Sequence, residues 1–243
     1  TKIYPDDSRG WRAFASALYE LKAFEQALAA YNTAISLCLH IKYNRLNTAK
    51  ARIRFNNAKI ANYLFAARVN RAGILFELGS YKESIRAYEK ILSREDTLND
   101  VKPEHYIKVI EACDQLGLTD KQLSWIETGL NRHPGDPQLI IAYARWLLKD
   151  GQLNDSLRLY GYVDQKEIQD VPFYSEYLGI LKKNYYMNLF NKVYPKAIQL
   201  KPITSYDNYH YGHILYMSGN IQEAKQYYLK SNDQELPWYS EMW

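Results

Sequence analysis

The chain has 243 residues, 31 basic and 27 acidic side chains and a formal net charge of +4, and no apolar run long enough to cross a membrane. Hydrophobic content of 47% and charged content of 24% are those of a folded protein, which excludes a disordered or low-complexity chain; the 23 tyrosines are the one compositional oddity. The first residues lack the order of a signal peptide, and the two cysteines, Cys38 and Cys113, have neither metal nor disulfide spacing but fall at apolar-periodic positions, where a thiol packs as a small hydrophobe.

In chain order, "KIYPDD" (Lys2–Asp7) reads as the tail of a preceding element. From Ser8, "WRAFASALYELKAFEQALAAYNTAI" predicts two apolar-periodic helices with a short turn between them, a unit over 8–41. The next stretch is basic. From Gln26 to Phe76 there is no Asp or Glu, but there are Lys42, Arg45, Lys50, Arg52, Arg54, Lys59, Arg68 and Arg71. Residues 42–64 form an insertion between the first two units. Leu46, Ala49, Ile53, Ile60, Tyr63 and Ala67 recur at helical spacing, so it is expected to be helix rather than loop. Asn47 or Thr48 caps its start, and a helix from there to Leu78 would span roughly 46 Å, with Asn56-Asn57 as the expected break. Arg45, Arg52 and Lys59 lie seven apart and form a basic stripe; Leu46, Ile53, Ile60 and Leu64 form an apolar one, which favours folding back over projecting into water. The basic stripe is either a solvated face or a surface for something anionic: an acidic protein, a phosphate group or an anionic membrane surface. Nucleic acid fits poorly, because few aromatics stand nearby and the rest of the chain is net negative.

"RVNRAGILFELGSYKESIRAYEKIL" predicts a second hairpin, a unit over 65–98. Four more start at Pro103, Pro137, Val171 and Ser205, spaced by 34 without slippage: 103–136, 137–170, 171–204 and 205–238. Pro103, Pro137 and Pro172 sit at helix starts, where a missing N–H costs nothing. Pro195 falls inside a helix and is expected to kink or shorten it, and Phe190 in the same unit stands where most of the others carry Ala or Ser, so this unit is expected to pack atypically. "PWYSEMW" (Pro237–Trp243) reads as the beginning of a further helix, so the sequence is expected to be part of a longer chain.

The six units resemble the tetratricopeptide repeat family over nearly the whole chain. Counting from each unit's start, the fifteenth residue is Gly79, Gly117, Gly151 or Gly219, and the twenty-fourth is Tyr31, Tyr88, Tyr160, Tyr194 or Tyr228. Trp11, Ala15, Phe24, Ala27 and Ala34 also match the family's preferences in the first unit, and Pro5, Pro134 and Pro202 recur at the thirty-second position. The resemblance implies an all-α, right-handed solenoid of about six helix-turn-helix hairpins, with an extended or extra helix between the first and second.

It also implies a concave groove lined by the first helix of each hairpin. Carried over, the groove residues are Arg12, Asn70, Lys108, Arg145, Lys149, Tyr206, Tyr209, His210 and His213, accompanied by Arg9, Ser16, Tyr19, Glu104, Glu111, Asp114, Ser175, Glu176 and Tyr216. The carboxylate clamp of the chaperone-binding members is matched only by Arg12, Asn70 and Lys108; Ser16 is a shortened substitute and Glu104 has the wrong charge. Asp207, His210 and His213 share a helix face, but a metal wants further convergent ligands and none is evident. No nucleotide, metalloprotease or serine-hydrolase fingerprint occurs, so neither catalysis nor a cofactor is expected.

The reading is therefore a non-enzymatic scaffold that presents its groove to a peptide or partner protein, an acidic one among the alternatives. The alternative is the periplasmic module of a bacterial polysaccharide-export system, in which tyrosines and Trp146, Trp238 and Trp243 would stack on sugar rings. It comes second because most of these aromatics fall at core positions. The compartment is left open between cytoplasm and periplasm.

Overall fold

A computed structural model describes residues 7–46, 57–93 and 101–231, without the side chains of 41–46 and 57–60. Among the described residues there are twelve helices and no strand: α1 (Ser8–Glu20), α2 (Phe24–Leu46), α3 (Asn57–Glu77), α4 (Tyr81–Leu92), α5 (Pro103–Gln115), α6 (Thr119–Arg132), α7 (Pro137–Lys149), α8 (Leu153–Asp164), α9 (Val171–Lys183), α10 (Met187–Ala197), α11 (Ser205–Met217) and α12 (Ile221–Lys230). They form two compact units, Thr1–Ser156 and Leu157–Trp243, and the boundary falls within α8.

In the first unit each helix packs on the next in sequence, from α1 against α2 to α6 against α7, and α3 and α5 also touch the helix two before them. Its core has two clusters. One gathers Ala15, Ala27, Tyr31 and Ile74 of the first two hairpins; the other gathers Tyr88, Tyr106, Val109, Cys113, Ile126 and Leu139 from α4 to α7. Both cysteines are free and buried, and burial pushes the Cys113 thiol up to about 11, so it stays protonated and inert. In the second unit α9 packs against α10 and α11, and α11 against α12.

The hairpin corners share one backbone device. The fifteenth residue of every unit is left-handed: Gly79, Gly117, Gly151 and Gly219 have φ of 71°, 65°, 83° and 90°, and Lys22 and Tyr185 adopt the same geometry at 57° and 63°. Glycine takes this conformation without a Cβ clash, whereas Lys22 and Tyr185 take it at a cost. At the other end, side chains of Asp7, Asp136, Asp170 and Thr204 accept hydrogen bonds from free N–H groups at the starts of α1, α7, α9 and α11.

Within a hairpin the helices meet at the eighth and twentieth residues of the unit. In the first unit both are alanines without exposed surface, Ala15 and Ala27. Where the twentieth is serine, its hydroxyl donates to the carbonyl of the eighth: Ser84 to Ala72 and Ser156 to Ala144, each at 2.8 Å. Gly212 leaves still less room; a Cβ there would lie 3.1 Å from the Tyr228 ring and 3.2 Å from the Ala224 carbonyl oxygen. The fifth hairpin differs as expected. Phe190 takes the twentieth place, buried and stacked on Tyr194 with centroids 5.8 Å apart. Pro195 is accommodated inside α10, which continues to Ala197 and keeps 11 residues, against 10 in α12.

The described parts of the insertion, 42–46 and 57–64, are added turns on two helices. α2 has 23 residues and α3 has 21, and the two pack together. α3 is described from Asn57, and the expected break at Asn56-Asn57 lies at the edge of residues outside the described ones. Near its start Tyr63 lies under the Arg12 guanidinium at 4.7 Å, and Leu64 is buried. The caps Asn47 and Thr48, Arg52 and Ile53, and the side chains of Arg45, Leu46, Lys59 and Ile60 lie outside what is described.

Candidate interaction surface

In the first, fourth and fifth hairpins the twenty-fourth residue is a tyrosine whose hydroxyl reaches the following hairpin. Tyr31, 1% exposed, bonds Ser16 of its own hairpin and accepts from the Asn70 amide on α3, both at 2.8 Å. Tyr160 donates to Glu176 on α9 at 2.7 Å. Asn70 and Glu176 hold the same place, sixth in their units, so these bonds are rungs that tie one hairpin to the next.

The rung is rerouted between the last two hairpins. The sixth residue of the final unit is His210, but the Tyr194 hydroxyl goes to Ser218, the C-cap of α11, at 2.9 Å. His210 Nδ1 is left buried without a partner. Its ring stands edge-on to Tyr206 at 4.5 Å and Tyr209 at 5.2 Å. Tyr206 is 58% exposed and Tyr216 43%, on a helix whose other face is core. Burial and the neighbouring His213 hold His210 below the ordinary 6.5, against the pull of Asp170, Glu176 and Asp207. Burial and Lys182 hold His213 down as well. His213 Nδ1 meets the Ser175 hydroxyl at 3.0 Å, but Ser175 is 1% exposed, so this serine–histidine contact joins α9 to α11 and is closed to a substrate. Asp207 does not turn to the histidines; its carboxylate accepts from the N–H groups of Ile203 and Thr204 in a capping box.

The cationic groove residues of the first unit have internal partners. Lys108 pairs with Glu77 and Glu111 and lies 4.5 Å over the Phe76 ring. Lys149 pairs with Asp114, which also accepts from Gln122. Asn70 serves the Tyr31 rung, Arg12 covers Tyr63, and Arg145 is exposed on α7. Trp146 packs on Tyr143 and donates to the Thr119 carbonyl at 3.3 Å, while Trp238 and Trp243 lie outside the described residues. Sequence had placed the tyrosine rings in the core; the hydroxyl rungs need a partner from another hairpin and leave no local signal.

A family model described as a tetratricopeptide repeat matches residues 65–97, the second hairpin. No curated protein matches the sequence. Among solved structures, a tetratricopeptide repeat protein from Parabacteroides merdae is similar at 14% identity, over 97% of this chain and 81% of that one, with a TM-score of 0.65. YrrB, a TPR protein with an unusual peptide-binding site, is similar at 15% identity, over 88% and 93% of the two chains, with a TM-score of 0.52. At such identities the likeness is one of fold.

Proposed function

Taking the chain as a tetratricopeptide repeat protein, we propose that it is a non-enzymatic scaffold for a peptide or partner protein, and that the partner rests on α11 and the adjoining face of α9. The observation that carries this reading is the 58% exposed Tyr206 ring, edge-on to His210 at 4.5 Å with Tyr209 also against the imidazole. Tyrosine rings supply contact area at low entropic cost, as they do in protein interfaces. The paired lysines of the first unit favour this end over a carboxylate clamp, because Lys108 and Lys149 would first have to leave their carboxylates.

The test is selection of a displayed library of random dodecapeptides on the purified chain, with the affinity of enriched peptides measured by fluorescence anisotropy. Tyr206→Ala and His210→Ala should each weaken binding by about tenfold, a change of roughly 1.4 kcal/mol. Enriched peptides that bind both variants as well as the parent would refute this placement.

A further inference from the structure

A cleft of about 520 Å³ lies between α2, α3 and α4, away from the surface just described. Arg68 and Arg71 reach it from α3 and Lys90 from the last turn of α4; Asn32 borders it, and Ile35 and Ala87 give it an apolar wall. No carboxylate occurs among the described residues that line it. Asn32 accepts from Arg71 Nε at 2.7 Å, which fixes the guanidinium plane and leaves the two terminal nitrogens for another acceptor. Elsewhere in the first unit the lysines at the groove face carboxylates: Lys108 faces Glu77 and Glu111, and Lys149 faces Asp114. Arg68 and Arg71 close the acid-free window of the sequence, so two cations of that window converge here with one from the next helix.

We propose that this cleft binds an organic phosphomonoester, its phosphate held by Arg71 and Lys90 with Arg68 beside them and its organic body against Ile35 and Ala87. A fixed guanidinium matches two phosphate oxygens in a bidentate pair, and a dianion balances several converging cations better than a monocarboxylate does. The volume lies within the roughly 300–1,000 Å³ of small-molecule sites and is far larger than a bare phosphate requires. The ligand is either a free phosphorylated metabolite or a phosphorylated side chain, which present the same group. The proposal is independent of the peptide surface on α11.

Titration calorimetry on the whole chain tests it, with phenyl phosphate as the probe and inorganic phosphate and benzoate as controls. Phenyl phosphate should bind about tenfold tighter than either control and weaken as salt rises. Arg71→Gln and Lys90→Gln should each reduce its affinity by about tenfold. Lys90 is exposed, so its replacement keeps the test valid if loss of the Arg71–Asn32 contact disturbs the fold. Adenosine monophosphate and a phosphothreonyl heptapeptide then separate the two sources, the tighter of them naming it. Absence of saturable binding by phenyl phosphate, equal binding of either control, or unchanged affinity in Lys90→Gln would overturn the proposal.

Discussion

Two glycines in helix interiors should answer the same substitution with opposite signs. Gly73 in α3 and Gly212 in α11 each give up about 0.8–1 kcal/mol of helix propensity relative to alanine. At Gly73 an added Cβ would meet the Tyr88 hydroxyl at 3.6 Å, an ordinary contact, so Gly73→Ala should stabilise its hairpin by about 0.5–1 kcal/mol. At Gly212 the methyl would press on the Tyr228 ring at 3.1 Å and the Ala224 backbone oxygen at 3.2 Å. Both neighbours are almost fully buried, so relief requires α12 to move. Overpacking of this kind costs about 1–3 kcal/mol, which outweighs the propensity gain and leaves a net loss of about 1 kcal/mol or more. Two compact units need not unfold in one transition, so the reading should be local. Hydrogen exchange followed by mass spectrometry on peptides from α3 and α11 provides it, since 1 kcal/mol changes an opening equilibrium about fivefold. Exchange should slow in α3 of Gly73→Ala and quicken in α11 of Gly212→Ala. Equal protection in both variants would refute the account of how closely these helices approach.

Tyr31→Phe should cost about 1–2 kcal/mol in urea unfolding, because it strands Ser16 and Asn70; combined with Asn70→Ala the loss should fall short of the sum, and strict additivity would mean that no rung exists. Tyr185→Gly should stabilise the second unit by about 1 kcal/mol, since a left-handed tyrosine 89% exposed loses strain and little packing; a lower unfolding midpoint would contradict this. His210 and His213 have folded values below 6.5, so the unfolded chain takes up protons first as pH falls; the stability they contribute is full above about 6.5 and is lost progressively below it. The thermal midpoint should therefore drop between pH 7.5 and 5, and His210→Asn with His213→Asn should flatten that drop; an unchanged slope would show that these rings do not titrate as described.

The helices were legible because the repeat fixes them locally. α5, α7, α9 and α11 start at Pro103, Pro137, Val171 and Ser205, where the period of 34 put them, and each corner needs one left-handed residue at a fixed offset. The corner also explains why two non-glycines, Lys22 and Tyr185, stand there: register rather than residue type dictates the geometry. What α2 does beyond the first hairpin was not legible, since the repeat pattern ends there and α2 as a whole carries no marked apolar face. At the interaction surface, helix faces followed from spacing, and Tyr206, Tyr209, His210 and His213 do lie together on α11. Pairing did not follow, because the partners of Lys108, Lys149 and Asn70 include residues from other helices. The cleft between α2, α3 and α4 was hidden for the same reason, as no stretch of sequence brings Asn32, Arg71 and Lys90 near one another.

In the first unit the packing of each helix on the next in sequence has a kinetic consequence. Nearly every contact spans a short stretch of chain, so little loop entropy is lost before contacts form, and topologies of this kind are quick to assemble. Among the described residues neither compact unit has strands to be matched at a distance, and a nucleus in any hairpin can grow by addition of the adjacent one. Damage is correspondingly contained: a substitution that loosens α11 and α12 removes the support of α9 but leaves α1 to α4 with the neighbours they had. Such a chain can lose an end and leave the packing of the remaining hairpins in place.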